Sequence, residues 1–163
     1  MAAEDHYSID TSAFLDWWVR YYPPSAFMGL VPRAKQLIEE GRLRASREVR
    51  DELEVRNDPC FRWVKDQPGL FVDSDVQIQS FVTKLMGQYF DAAKPDKGIS
   101  GADPFVIGLA AVQNPTPWVV VTGEKPGSIE NPKIPFVCRH LQPQPIRTIG
   151  FLELIVEEGW QLS

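Results

Sequence analysis

Four segments of this chain place an acidic side chain beside the end of a predicted strand or in a predicted helix, and clustered acids could do chemistry. The acids are Asp10, Glu48 or Glu52, Asp103 and Glu124. Carboxylate oxygens are the ligands that Mg²⁺ and Mn²⁺ prefer. Several like charges at one site repel one another, and a bound cation is the usual resolution. Such a metal would lower the pKa of a bound water and orient it for attack on a phosphodiester.

The sequence lacks the residues that several other catalytic or phosphate-binding sites require. No GxGxxG follows the opening strand and no GxxxxGK[ST] occurs, which excludes the common phosphate-binding loops. A haloacid-dehalogenase phosphatase needs a second Asp two residues after the first, where this chain has Ser12, and a phosphoacceptor domain needs acids directly before its central Asp. Neither His6 nor His140 lies in a sequence motif typical of a Ser/His/Asp catalytic triad. Cys60 and Cys138 are too few for a disulfide framework or a four-cysteine zinc site, so we expect reduced thiols.

Length and composition fit one globular domain covering residues 1–163. A chain of 163 residues can bury a self-sufficient core. The net charge of -5 argues against a protein that coats nucleic acid by charge alone, but it allows a nuclease with a local acidic cleft. The sequence shows neither a signal peptide nor an apolar run long enough to span a bilayer. We therefore expect a cytoplasmic protein with no membrane association.

The elements that must position these acids alternate between strand and helix. We predict strands at 7–9, 42–46, 70–72, 118–122, 132–137 and 146–149, and helices at 13–21, 25–41, 46–53, 61–65, 74–90, 105–112 and 151–160. This alternation predicts an α/β fold, a three-layer αβα sandwich with a mostly parallel central sheet. Ligands bind at the carboxyl ends of the strands in such folds. Asp10 and Glu124 both follow strands at that edge.

Two further features concern the surroundings of this edge. Phe14, Trp17, Trp18 and Tyr21 recur at helical spacing, which favours a core face over a base-stacking platform. Residues 94–98 form a polar loop with lysines that could contact a phosphate backbone. The default interpretation of such a loop is a solvated connection.

The order of these motifs resembles the PIN-domain family, and more narrowly the PIN-like toxin ribonucleases of toxin-antitoxin pairs in bacteria and archaea. The motifs are Ile-Asp-Thr-Ser at 9–12, Glu-Val-Arg-Asp-Glu-Leu at 48–53, Ala-Asp-Pro-Phe-Val-Ile-Gly-Leu-Ala at 102–110, and Val-Val-Val-Thr-Gly-Glu at 119–124. The resemblance runs from about residue 7 to residue 160. It implies a metal-dependent endoribonuclease, often a homodimer, that a small antitoxin protein inhibits by inserting into the acidic groove.

The resemblance also implies roles for individual residues. Asp10 would be the first metal ligand, Asp103 the third, and Glu124 the fourth, where the family usually has an Asp. Glu52 would be the second because it directly precedes a leucine, with Glu48 as the alternative. Three hydroxyls would hydrogen-bond the ligands or the attacking water, those of Thr11, Ser12 and Thr122. Two other readings remain open: a PIN-fold binding module without catalysis, and a structure-specific DNA nuclease.

Overall fold

The computed structural model describes residues 4–94 and 97–162 and contains a five-stranded, fully parallel sheet. The strands are β1 (Tyr7–Ile9), β2 (Leu43–Ser46), β3 (Phe71–Val72), β4 (Val119–Val121) and β5 (Thr148–Ile149). Their order across the sheet is β3-β2-β1-β4-β5, and every neighbouring pair is parallel. The predicted α/β class is confirmed, and β1 lies at the centre of the sheet.

Helices flank this sheet in the manner of a three-layer sandwich. They are α1 (Thr11–Leu15), α2 (Leu30–Glu39), α3 (Arg47–Arg56), α4 (Pro59–Val64), α5 (Val76–Tyr89), α6 (Asp103–Ala111), α7 (Ile134–Arg139) and α8 (Phe151–Glu158). A π-helical segment, Asp16–Tyr21, continues directly from α1. No helix of the described residues is long and apolar enough to cross a membrane.

The central strands are buried on both faces, which is why they read as apolar runs in the sequence. All three residues of β1 and all three of β4 are buried. The polar member of β1, Ser8, is satisfied because its hydroxyl donates to the carbonyl of Val106 in α6 at 2.8 Å. This contact fixes α6 against the centre of the sheet and with it the residue that begins α6, Asp103.

The aromatic residues of the first helix belong mostly to the core. Phe14 and Trp17 are fully buried, and the Trp17 ring stacks on Phe151 with centroids 5.2 Å apart. Tyr21 departs from the predicted core face, since 62% of it is exposed.

Several predicted elements are corrected by the structure. Residues 134–139 form α7 and not part of an edge strand at 132–137: Pro135 fits the first turn of a helix, and Ile134, Val137 and Cys138 are buried at helical spacing. The helix predicted from Ser25 begins only at Leu30, after a run of turns. The helix predicted at 74–90 is α5, Val76–Tyr89, and Asp75 caps it by accepting a hydrogen bond from the Ile78 N–H at 2.9 Å.

The polar loop at 94–98 is described only in part. Pro95 and Asp96 lie outside the described residues. Lys94 and Lys97 are exposed and line a small cavity together with Gly98. The prediction that this loop contacts a phosphate backbone stays a prediction.

Candidate metal centre

Asp10 directly follows β1 and so lies at the carboxyl end of this strand, the position predicted from the sequence. Its backbone N–H donates to the carbonyl of Val121 at 2.8 Å and extends the pairing of β1 with β4. Its side chain is buried, and the Oδ2 atom accepts hydrogen bonds from the hydroxyls of Ser12 at 2.6 Å and Thr122 at 3.1 Å. Two hydroxyls from separate segments therefore hold this carboxylate in one orientation.

Two further acids converge on Asp10. Asp103 is the first residue of α6, and Glu124 follows β4 after a two-residue link. One carboxylate oxygen from each of the three acids lies within 4.8 Å of the other two. Both outer acids are anchored by backbone donors: the Ser100 N–H reaches Asp103 at 3.3 Å and the Ile134 N–H reaches Glu124 at 3.2 Å.

The electrostatics of this acidic trio, Asp10, Asp103 and Glu124, disfavour three negative charges. Burial raises the pKa of Asp10, although the hydrogen bonds from Ser12 and Thr122 oppose the rise. Burial, with repulsion from Glu124 and Asp10, raises the pKa of Asp103 to about 8. Burial and repulsion from Asp10 likewise raise the pKa of Glu124. Titrating groups perturbed in this way at one site are typical of functional sites.

The donor set of the trio fits a hard divalent cation. All three ligand atoms are carboxylate oxygens, which suit Mg²⁺ or Mn²⁺ better than metals that prefer nitrogen or sulfur. Burial and mutual repulsion both raise the pKa values of these acids, and a bound cation would offset the repulsion. The observed residues are therefore compatible with the predicted cofactor.

Glu52 reaches the same cleft but does not join the trio. Its two oxygens accept hydrogen bonds from the Thr11 hydroxyl at 2.6 Å and from the Ala102 N–H at 3.3 Å. Thr11 begins α1, and Ala102 directly precedes α6, so Glu52 links the starts of the two helices that position Asp10 and Asp103. Glu52 lines a cleft of about 300 Å³ with the three acids of the trio. The alternative acid, Glu48, does not line this cleft, and its Oε2 atom is buried without a hydrogen-bond partner among the described residues.

The predicted hydroxyl residues all contact acids. Ser12 and Thr122 donate to Asp10, and Thr11 donates to Glu52. The Thr122 hydroxyl also accepts from the Glu124 N–H at 3.1 Å, which ties the backbone of the fourth predicted acid to the same network.

Lys133 is a cleft residue that the sequence analysis missed. It lines the acidic cleft, and its ammonium donates to the Gly98 carbonyl at 3.3 Å. The sequence predicts a strand at 132–137, and a strand there gives no indication that Lys133 lies beside the acids. The helical spacing of Ile134, Val137 and Cys138 was the signal that would have placed Lys133 at the start of a helix beside Glu124.

A groove larger than the acidic cleft lies elsewhere on the described part of the chain. It has a volume of about 500 Å³ and is lined by residues 113–115 and 140–144, which precede β4 and β5, so it lies toward the amino ends of these strands. Lys84 and His140 line it, but no carboxylate among the described residues does. Cavity volume alone would therefore favour this groove over the acidic cleft. The acidic cleft is assigned as the candidate site because its carboxylates could bind a metal ion.

Comparison with protein families places nearly the whole chain in one family. A family model described as a domain of unknown function (DUF4411) matches residues 7–162, nearly the whole chain. No curated protein matches the chain.

Proposed function

This chain belongs to the DUF4411 family, and we propose that it is a Mg²⁺- or Mn²⁺-dependent endoribonuclease of the toxin-antitoxin type. The observation that carries the proposal is the acidic trio at the carboxyl edge of a parallel sheet, with carboxylate oxygens from three separate segments within 4.8 Å of one another. Ligand sites of open parallel sheets lie at this edge. The order of the acids along the chain, with its resemblance to PIN-like ribonucleases, supports RNA as the substrate.

Asp10, Asp103 and Glu124 would hold the cation. When bound, the cation would lower the pKa of a water and offset negative charge on the phosphate oxygens. Ser12 and Thr122 keep the Asp10 carboxylate oriented through their hydrogen bonds. Glu52 holds the start of α1 beside the start of α6 by accepting hydrogen bonds from Thr11 and Ala102.

Lys133 would contact the phosphate backbone of the RNA. It is the one cationic residue among the described residues that line the acidic cleft. Among the described residues its ammonium donates one hydrogen bond, to the backbone carbonyl of Gly98, and so retains donors for a phosphate oxygen. A net charge of -5 makes such a local cation important, because the rest of the protein repels RNA.

The proposal extends to partners and location. A small antitoxin protein would inhibit the enzyme by covering the acidic cleft, and the active form would be a homodimer in the cytoplasm, where its RNA substrate is found. These features follow from the resemblance to PIN-like toxins.

Cleavage of a structured RNA in Mn²⁺ tests the proposal. We expect the wild-type protein to cut the RNA, EDTA to abolish cutting, and Asp10→Asn and Asp103→Asn to reduce it at least a thousandfold while circular dichroism shows an unchanged fold. Asp66→Asn is the matched control, because Asp66 is exposed and lies outside the cleft. Wild-type rates in both trio variants would overturn the assignment.

The same preparation separates the two alternative functions. A DNA nuclease would cut flap or duplex DNA in preference to RNA. A binding module without catalysis would cut neither, and in calorimetry it would bind Mn²⁺ weakly and independently of Asp10.

A further inference from the structure

A second cavity, of about 450 Å³, adjoins the acidic cleft. Glu124 lines both, so the loop from Thr122 to Glu124 separates the two spaces. Besides Glu124, the walls of this side cavity combine aromatic rings and aliphatic groups with two further acids. They include Tyr21, Tyr22, Phe151, Leu152, Asp16 and Glu153.

Tyr21 and Leu152 leave apolar surface open beside the side cavity. Tyr21 is 62% exposed and Leu152 is 53% exposed. The ring of Tyr22 meets Tyr21 edge-on, with centroids 6.3 Å apart, and also packs against Phe151 at 6.0 Å. Tyr22 is thus fixed by the core and supports Tyr21. Exposed aromatic rings of this kind stack on nucleobases in proteins that bind single-stranded nucleic acid.

The two acids offer the cavity hydrogen-bond acceptors. Asp16 pairs with Arg20 through Oδ1 at 2.8 Å, and its Oδ2 lies against Gly123, where a Cβ atom would collide with it. Glu153 accepts from the Gly150 N–H through Oε1 at 3.2 Å, and its Oε2 accepts no hydrogen bond among the described residues. Carboxylates repel a phosphate group, but they accept well from the amino group of a base.

We propose that the side cavity binds one unpaired base of the RNA, adjacent to the phosphate that enters the acidic cleft, and prefers bases that carry an exocyclic amino group. The base stacks on Tyr21 and its amino group donates to Glu153. This inference rests on the proposed ribonuclease function, since it is the shared residue Glu124 that places the base beside the reacting phosphate. The substrate class is then single-stranded or looped RNA, because a paired base cannot enter.

Binding measurements test the inference separately from cleavage. Fluorescence anisotropy of a labelled five-cytidine RNA is measured in Ca²⁺, with a gel to check that the RNA stays intact, and repeated with one abasic nucleotide at each position in turn. We expect one position at which loss of the base weakens binding about tenfold. Tyr21→Ala should weaken binding of the complete RNA by a similar factor and leave binding of that abasic RNA unchanged. Phe90→Ala is the control, since Phe90 is a half-exposed aromatic at the end of α5.

Glu153→Gln tests the preference for an amino group. The glutamine side chain would keep an oxygen for the Gly150 N–H but would present an N–H donor to the ligand. We expect the preference to move from the five-cytidine RNA toward a five-uridine RNA, whose O4 atoms are acceptors.

Three results would overturn the inference. Tyr21→Ala could weaken both the complete and the abasic RNA equally, or neither. The wild-type protein could show no loss of affinity at any abasic position. Tri-arginine could bind in a Tyr21-dependent manner while RNA does not, which would assign the cavity to the cationic side chain of a protein partner. Absence of RNA cleavage in Mn²⁺ would count against the ribonuclease proposal alone, because base binding is measured by anisotropy in Ca²⁺ and does not require cleavage.

Discussion

Replacing Asp103 by Asn should stabilise the metal-free protein at alkaline pH. Burial and the negative charges of Glu124 and Asp10 raise the pKa of Asp103 to about 8 in the folded protein, whereas an unfolded Asp loses its proton near 4. The folded state therefore holds this proton more tightly than the unfolded chain does. Stability falls as pH rises from about 4 to about 8 and then levels off. An asparagine side chain at this position carries no charge and can still accept from the Ser100 N–H, so the variant escapes this loss.

The size of the effect follows from the same pKa. Each tenfold change in proton affinity corresponds to about 1.4 kcal/mol, so the gap between about 8 and an ordinary Asp sets an upper bound of about 5 kcal/mol at pH 8. Relaxation and protonation of Asp10 or Glu124 relieve part of the repulsion, since the three acids titrate together. We expect Asp103→Asn to raise the free energy of unfolding by about 2 to 4 kcal/mol at pH 8 in EDTA.

Urea unfolding at pH 4, 6 and 8 measures this difference. The gap between the variant and the wild type should be near zero at pH 4, grow through pH 6 and be largest at pH 8. Saturating Mn²⁺ should shrink or reverse it, because the wild-type trio binds the ion and gains stability from binding. Asp66→Asn, an exposed substitution outside the cleft, is the control. Equal stability of Asp103→Asn and wild type in EDTA at every pH would refute the repulsion argument.

Three other predictions address the metal, the loop before α6 and Glu52. Mn²⁺ binding should tighten as pH rises from 6 to 8, by up to about tenfold per pH unit, because binding displaces a proton from the trio. Calorimetry in buffers of different ionisation enthalpy should detect the released proton. An affinity that does not change with pH would contradict this prediction. Gly101→Ala should lower the free energy of unfolding by about 1 to 2 kcal/mol, because Gly101 has φ +56° and a Cβ there would lie 2.8 Å from Glu52 Oε2. Gly87→Ala, in α5 with open space around it, should instead add about 0.5 to 1 kcal/mol in the same urea assay. Glu52→Gln should reduce RNA cleavage by about 10- to 100-fold, less than Asp10→Asn, because Glu52 supports the trio from outside it; equal losses in kcat/KM would place Glu52 among the ligands.

The position of Asp10 could be predicted from the sequence because it depends on topology. A short apolar strand followed by a helix start fixes which end of the strand the acid occupies, and parallel pairing brings that end beside the end of β4. The same reasoning placed Glu124 near Asp10. Neither prediction required the orientation of a helix around its axis.

The choice between Glu48 and Glu52 could not be predicted in this way. The sequence places Glu48 and Glu52 one turn apart on a shared face of α3, and both are compatible with an inward direction. Which acid reaches the cleft depends on how α3 packs against the starts of α1 and α6, and the hydrogen bonds from Thr11 and Ala102 decide it. Contacts between segments 41 and 50 residues apart leave no local pattern in the sequence.

The exposure of Tyr21 has a local cause that spacing alone could not show. Phe14, Trp17, Trp18 and Tyr21 share one face only if the helix keeps 3.6 residues per turn. The segment from Asp16 to Tyr21 is π-helical, and its wider turns rotate each residue by a smaller angle, so Tyr21 lags by about a quarter of a turn behind its α-helical direction. Phe14 and Trp17 stay in the core, whereas Tyr21 turns toward the side cavity next to Glu124. The same local widening therefore ends the buried face and supplies the aromatic wall on which the proposed base would stack.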